Sequence, residues 1–292
     1  MPVSLPPALE SSLDLLCCPT CRTRRLHPGG GALRCPKGHT FDIARHGYAG
    51  LLTGPRATSG DDAPMVRARD RFLSTGTYAP VRDTGARLAA DAVSERATVV
   101  DVGCGTGYYL AGVLDELPGA RGLGLDTSVR ALRSAARAHD RAAAVAWDVF
   151  RPLPLADGVA DVVLDIFAPR NPAEFHRVLR PAGRLVVIRP TGRHLAELRG
   201  RLPAMVTVDP AKEQRLHRAL DPFFEAAVTE QVEYPVTLTG PAALDLVAMT
   251  PSARHVSRAD LDDDGFPPGE VTVSVLATAY RPRRPGAGAS AR

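Results

Sequence analysis

From Thr98 onward the apolar positions alternate between short unbroken runs and stretches with helical spacing. The runs are T-V-V-D-V (98–102), G-L-G-L-D (122–126), A-A-V-A-W-D (143–148), D-V-V-L-D-I-F (161–167) and R-L-V-V-I (184–188). Runs that are apolar on consecutive positions suit strands covered on both faces. Between them, 106–117, 127–138 and 172–180 carry the spacing of amphipathic helices. The pattern predicts an α/β fold, a doubly wound sheet with parallel strands. Further strands are expected at 231–238 and 271–280, with a helix at 241–249 between them. Residues 64–93 read as helical, interrupted by S-T-G-T-Y at 74–78. The expected organisation is a flexible N-terminus (1–16), a small cysteine-containing module (17–52), a linker and helical segment (53–97), the α/β domain (98–280) and a disordered tail (281–292).

Composition narrows the class. With 45% hydrophobic and 23% charged residues in 292, the chain can bury a core and is not a disordered polymer. No apolar run reaches the roughly 18 residues of a membrane-spanning helix. The first residues lack a basic start followed by an apolar stretch, so a soluble, cytoplasmic protein is expected. The net charge of +4 is unevenly placed: residues 1–60 hold seven basic and three acidic side chains, the remainder 29 of each. Only Lys37 and Lys212 are lysines among the 36 basic residues. That arginine bias suits an Ala- and Arg-rich codon supply, and arginine keeps its forked geometry for phosphates regardless.

Four of the five cysteines lie in the first 35 residues. Cys18 with Cys21 forms C-x2-C, and Cys35 with His39 forms C-x3-H, together the four ligands of a tetrahedral structural zinc. Pro19, Pro36 and Gly38 suit the tight turns of such knuckles, and P-G-G-G at 28–31 reads as the turn of a small ribbon. Cys17 could replace Cys18 through a C-x3-C spacing. Disulfides would require an oxidising compartment, which nothing in the chain supports. A module this small holds its shape through the metal, and a closed site leaves no position for catalysis.

The first strand of the α/β region runs into D-V-G-C-G-T-G, residues 101–107. Such a turn brings backbone close to a ligand and opens a helix N-terminus toward it. The G-x-G-x-G spacing departs from the dinucleotide fingerprint G-x-G-x-x-G/A, because Tyr108 stands where the last small residue belongs. The loop contains no basic residue to meet a pyrophosphate. Asp101, Gly103, Gly105, Thr106 and Gly107, with Asp126 and Asp148 at the next two strand ends, fit the S-adenosylmethionine (SAM) turn of Rossmann-like methyltransferases. Asp126 is placed for ribose hydroxyls and Asp148 for the adenine amino group.

The combination of ribbon and SAM turn is more specific than either part. C-P-T-C, C-P-K-G-H-T-F-D-I-A-R-H-G-Y, G-D-D-A-P-M-V-R-A-R-D-R-F-L-S-T-G-T-Y-A-P, D-V-G-C-G-T-G-Y-Y, I-F-A-P-R-N-P-A-E, G-R-H-L-A-E-L and M-T-P, spread over about residues 17–280, resemble the RlmA family of 23S rRNA (guanine-N1)-methyltransferases. The A-P-R-N-P form and the arginine-rich background look closest to the actinomycete branch that confers resistance to macrolides such as tylosin and mycinamicin. That branch acts on guanine 748 of the helix 35 hairpin in domain II of 23S rRNA; the other branch acts on guanine 745. The resemblance implies one structural zinc on Cys18, Cys21, Cys35 and His39, SAM as cofactor, Tyr78 and His194 closing over SAM, and a plausible homodimer. From the residues alone, Tyr78 could equally be a core aromatic and His194 a helix-start residue. The ribbon and its basic excess are expected to recognise RNA. A small-molecule methyltransferase shares the SAM turn but has no use for the ribbon.

N1 of guanine carries a proton at neutral pH, so a base is expected to assist. Asp165 and His194 are candidates, although neither is selected by spacing. The I-F-A-P-R-N-P segment after the fourth strand is expected to line the guanine pocket, with Arg170 or Asn171 reading the base edge and Phe167 stacking on it.

Overall fold

The computed structural model describes residues 5–54, 60–91, 93–94, 96–202, 205, 211–254 and 268–284. Four short strands come first: β1 (His27–Gly29), β2 (Ala32–Arg34), β3 (Thr40–Asp42) and β4 (Ala49–Gly50). Then follow β5 (Thr98–Val102), β6 (Arg121–Asp126), β7 (Ala142–Ala146), β8 (Ala160–Ile166), β9 (Leu179–Pro190), β10 (Phe224–Leu238) and β11 (Gly269–Pro282). The helices are α1 (Pro7–Glu10), α2 (Ala63–Ser74), α3 (Ala79–Ala90), α4 (Tyr108–Glu116), α5 (Ala131–Ala135), α6 (Pro172–Val178), α7 (Ala196–Arg201), α8 (Ala211–Leu220) and α9 (Gly240–Ala248).

Strands β1–β2–β3 form a three-stranded antiparallel ribbon. The large sheet has eight strands in the order β10-β11-β9-β8-β5-β6-β7-β4. Strands β4 to β9 within it are parallel, and β11 and β10 close one side antiparallel. The chain leaves β5 toward β6 and β7, then returns to the other side for β8 and β9. The carboxyl ends of β5 and β8 therefore flank the switch point where ligands bind in such sheets. The interior strands are buried along nearly their whole length, as their unbroken apolar runs predict. Caps define the helix starts: Asp62 accepts from the Met65 N–H at 2.9 Å, and Pro64 and Pro172 stand in the first turns of α2 and α6.

Several expectations change. The segment 5–16 is not a flexible leader: Leu9, Leu15 and Leu16 are at most 2% exposed and share one core with Leu33 and Leu51 of the N-terminal module and Leu153 and Leu155 of the sheet. Burial of that many leucines offsets the entropy of ordering the segment. The module is likewise continuous with the α/β domain, because β4 pairs with β7 as the eighth strand. Leu16 bridges Leu155, and the Cys17 N–H donates to the Pro154 carbonyl at 2.8 Å. The tail begins later than 281, since β11 runs to Pro282; residues 285–292 lie outside the described residues, as does 55–59 of the linker. The helix expected at 127–138 shrinks to five residues because the Ser128 hydroxyl accepts from the Ala131 N–H and Asp126 accepts from Ser128, holding 126–130 as a loop.

Candidate active site and metal centre

The glycine loop is shaped by steric necessity. Gly103, Gly105 and Gly107 have φ of 80°, 53° and 84°, in the left-handed region. A Cβ on Gly103 would lie 2.6 Å from that of Ala168, and one on Gly107 would lie 2.8 Å from that of Ala138. A Cβ on Gly105 would meet only the Arg69 side chain, in ordinary contact at 3.7 Å. The Asp126 carboxylate accepts from the N–H groups of Gly105 (2.9 Å) and Ser128 (2.7 Å), tying the ends of β5 and β6 together. Thr106 is buried beside this loop.

Asp101 is 2% exposed, and its Oδ2 has no hydrogen-bond partner among the described residues. Burial, reinforced by the charges of Asp126 and Asp165, pushes its carboxyl up to about 8. An orphaned buried carboxylate at the switch point suits a cationic group, and the amino acid part of SAM with its sulfonium provides positive charge. The orphaned Asp101, the left-handed glycine turn and Asp126 at the end of β6 fit SAM. Asp148 is placed differently from the expectation, two residues beyond the end of β7. Its Oδ1 accepts from the Phe150 N–H at 3.0 Å, and its Oδ2 lies 3.8 Å from Arg151 Nε, so part of its bonding capacity shapes its own turn.

Tyr78 and His194 come from elements 116 residues apart and meet in the core, with the Tyr78 hydroxyl 3.2 Å from His194 Nε2. The Ser274 N–H donates to His194 Nδ1 at 3.2 Å, so the ring proton sits on Nε2 and faces Tyr78. Burial and the neighbouring Arg199 hold the imidazole down to about 4, which keeps it neutral. Ser274 in turn donates to Glu233 at 2.7 Å from the adjacent strand. Phe167 completes the cluster. Its ring stacks on His194 with centroids 5.9 Å apart, and Tyr78 and Tyr109 lie 6.3 and 6.2 Å away. Phe167 has φ of 54° and is 38% exposed at the carboxyl end of β8. A bulky residue in left-handed backbone carries strain of the kind held at functional sites.

The three catalytic candidates hold the loop that follows Phe167. Asp165 is fully buried with Arg170 Nε 2.9 Å from its Oδ1. Asn171 begins α6 and donates from Nδ2 to the Val149 carbonyl at 2.9 Å. Neither Asp165 nor His194 is thus placed as an open base. Sequence reasoning missed Tyr109, Ser274 and Glu233. Tyr109 follows the glycine loop in the D-V-G-C-G-T-G-Y-Y motif, whereas no local signal marks the other two.

Far along the chain, the Sγ atoms of Cys18, Cys21 and Cys35 and one ring nitrogen of His39 all lie within 4.8 Å of one another. Cys21 and Cys35 sulfurs are 3.6 Å apart, and Cys35 Sγ is 3.4 Å from His39 Nδ1. A tetrahedron with Zn–S bonds of about 2.3 Å has edges of about 3.7 Å, so this donor set fits zinc. Cys17 stays outside the cluster, its backbone pairing with Arg24. The nearby Thr23 hydroxyl favours the Cys21 thiolate, which is held at about 6.

Residues 16–55 match the RlmA N-terminal family and residues 99–183 match a methyltransferase domain family. A Streptomyces fradiae protein named 23S rRNA (guanine(748)-N(1))-methyltransferase is 44% identical over 270 residues, spanning 91% of this chain and 96% of that one. A Micromonospora griseorubida protein, provisionally named a 23S rRNA (guanine-N(1)-)-methyltransferase, is 45% identical over 291 residues, 92% of this chain and 98% of its own length. Among solved structures, a chain of the complex between the Haloferax volcanii Trm112 methyltransferase activator and its methyltransferase aligns with a TM-score of 0.48 and 22% identity, over 77% of this chain and all of that one. With the ribbon and the catalytic domain matched separately and near end-to-end similarity to both relatives, the chain belongs to the RlmA family of 23S rRNA (guanine-N1)-methyltransferases, SAM-dependent enzymes with an N-terminal zinc ribbon.

Proposed function

We propose that the protein methylates N1 of guanine 748 in the helix 35 hairpin of 23S rRNA and that this modification confers resistance to macrolides such as tylosin or mycinamicin. The Streptomyces fradiae relative, named for that position, supports the choice of guanine 748 over guanine 745. The observation that carries the reading is Phe167, an aromatic held half exposed in strained backbone at the switch point. A guanine extruded from a hairpin loop would stack on such a face, because splayed bases in RNA loops are read by stacking and edge contacts.

SAM, when bound, supplies an electrophilic methyl group. The chain's residues orient and desolvate the acceptor. Tyr78, buried against Phe72 at 5.1 Å and bonded to His194, keeps the Phe167 face rigid. The Asp165–Arg170 pair and the Asn171 bond to Val149 hold the A-P-R-N-P loop in register over Gly103. Orientation of this kind is worth of order 7–11 kcal/mol of barrier. The N1 proton passes to solvent in this reading, since His194 presents a proton rather than a lone pair to Tyr78 and Asp165 is committed to Arg170.

Tritiated SAM and protein-free 23S RNA, followed by mapping of reverse-transcriptase stops, test the proposal. A stop at guanine 748 is expected. A stop at guanine 745 would assign the chain to the other branch, and no stop in helix 35 would sink the reading. A ribosomal RNA substrate places the enzyme's work in the cytoplasm in this reading; no helix among the described residues is long and apolar enough to cross a membrane.

A further inference from the structure

The first fifth of the chain carries the excess charge, yet the structure brings arginines of the charge-balanced domain up against it. The turn between β3 and β4 contains Arg45 and His46, and it folds tightly, with the Gly47 N–H donating to Ala44 at 2.8 Å and the Ala44 N–H to Tyr48 at 2.9 Å. This turn packs on the end of α5: a Cβ built on Gly47 would meet that of Ala136 at 3.7 Å. Tyr48 packs against the small core that Leu132 and Ala135 form with Cys104, Ala144 and Ala146. As a result Arg45, Arg133 and Arg137 all lie close enough for their charges to act on the His46 ring.

Arg45 is bonded to this ring, its Nε donating to His46 Nε2 at 3.3 Å, and like charges gathered near one ring normally recruit carboxylates. No ion pair to Arg45, Arg133 or Arg137 is formed among the described residues. The Nε of Arg133 is moreover buried without a hydrogen-bond partner among the described residues. A cationic cluster with Arg45 and Arg137 exposed and no ion pair among the described residues calls for an anionic partner from solution. The position points to which anion. Ala138, next to Arg137, lies against Gly107 of the glycine loop, so the cluster stands on the far side of α5 from the cofactor turn.

We propose that Arg45, Arg133 and Arg137 form a phosphate clamp for the RNA backbone, spanning the joint between the zinc ribbon and the catalytic sheet. This deepens the function proposed above and rests on its assignment of an RNA substrate. The clamp accepts phosphates irrespective of base sequence, and it couples the placement of the ribbon to that of the glycine loop, because one backbone segment would bridge both.

Fluorescence anisotropy of a labelled helix 35 hairpin with the full chain, measured from 50 to 200 mM salt, tests the clamp. Each lost phosphate contact reduces the slope of log affinity against log salt by about 0.7–0.9, or about threefold in the affinity change across that range. Arg45→Ala and Arg137→Ala, both at exposed positions, should each show that reduction, equally on a hairpin of scrambled loop sequence. Arg133→Lys, which keeps the charge, should retain most of the slope, whereas Arg133→Ala should not. SAM affinity by calorimetry should be unchanged in all four. Wild-type slopes in Arg45→Ala and Arg137→Ala would overturn the clamp. If the wild-type protein binds the hairpin but leaves it unmethylated, the function proposed above fails while the clamp is still decided by the slopes.

Discussion

Replacing Arg22 separates structural from RNA-binding roles within the basic N-terminal segment. Its guanidinium donates to the carbonyls of Leu153 at 2.6 Å and Leu155 at 3.1 Å, on the far side of the joint. Charged hydrogen bonds contribute about 1.5–3 kcal/mol each. Here the lower end applies, because Arg177 also donates to both carbonyls, at 3.1 and 2.8 Å, and neither acceptor is orphaned by the loss. Arg22→Ala should therefore destabilise the protein by about 3 kcal/mol, a fall of about 5 °C in the melting temperature for a chain of this size. Arg22 also sits at φ of 58°, in the left-handed region. Glycine relieves that strain by about 1 kcal/mol, so Arg22→Gly should melt about 2 °C above Arg22→Ala. Scanning calorimetry measures both variants, and the salt slope for hairpin RNA should match wild type in each. An unchanged melting temperature together with a reduced salt slope would refute this and return Arg22 to the RNA-binding surface.

Phe167→Ala should lower kcat/KM for hairpin methylation by about 5- to 150-fold, since base stacking on an aromatic contributes about 1–3 kcal/mol, while SAM affinity stays at the wild-type value and Phe167→Tyr restores activity. Gly107→Ala combines left-handed strain with a 2.8 Å approach to Ala138 and should cost about 2–4 kcal/mol, read as a lowered melting temperature and weakened SAM binding by calorimetry. Asp101 has its folded-state pKa raised to about 8 from 3.8, so the folded protein holds a proton that the unfolded chain releases, and stability falls as pH rises between those values. His194, lowered to about 4, acts oppositely between 4 and 6.5, so the comparison belongs between pH 6.5 and 8: there the cofactor-free melting temperature of wild type should drop relative to Asp101→Asn, and parallel curves would contradict the assignment. Zinc release, followed with a chromogenic chelator during heating, should coincide with the main unfolding transition because ribbon and sheet share one core; release in a separate, earlier transition would show that the ribbon unfolds independently.

The shared core changes the meaning of the charge distribution. A ribbon tethered by a linker would be an autonomous RNA hook, and its seven basic side chains would all be available. In this fold the Arg22 guanidinium is committed to the Leu153 and Leu155 carbonyls of the sheet, whereas Arg24, Arg25, Arg34, Lys37 and Arg45 are exposed without such a bond to the sheet. The basic surface is completed by residues from α5 and just beyond it, a region that net charge alone marks as neutral.

Local chemistry determined a great deal of this protein. The unbroken apolar runs placed β5 to β9 within a few residues, because a strand buried on both faces is apolar at most positions, the buried carboxylates Asp101 and Asp165 being exceptions that mark the site. Ligand spacing brought Cys18, Cys21, Cys35 and His39 together, because a knuckle is a local turn. The left-handed glycines of D-V-G-C-G-T-G announced the tight turn after β5 for the same reason. Contacts between distant segments were decided only by the tertiary structure. Leu9 and Leu16 fill a core that their own neighbourhood does not reveal, and β4 is too short for periodicity to detect. Asp165 and Arg170, read separately as catalytic candidates, prove to be each other's partners. His194 owes its tautomer to a backbone N–H eighty residues later, and Phe167 owes its strained, exposed pose to the packing around it. Spacing along the chain encodes what a turn or a strand can satisfy alone. Burial and charge pairing depend on which surfaces meet, and only the folded chain determines that.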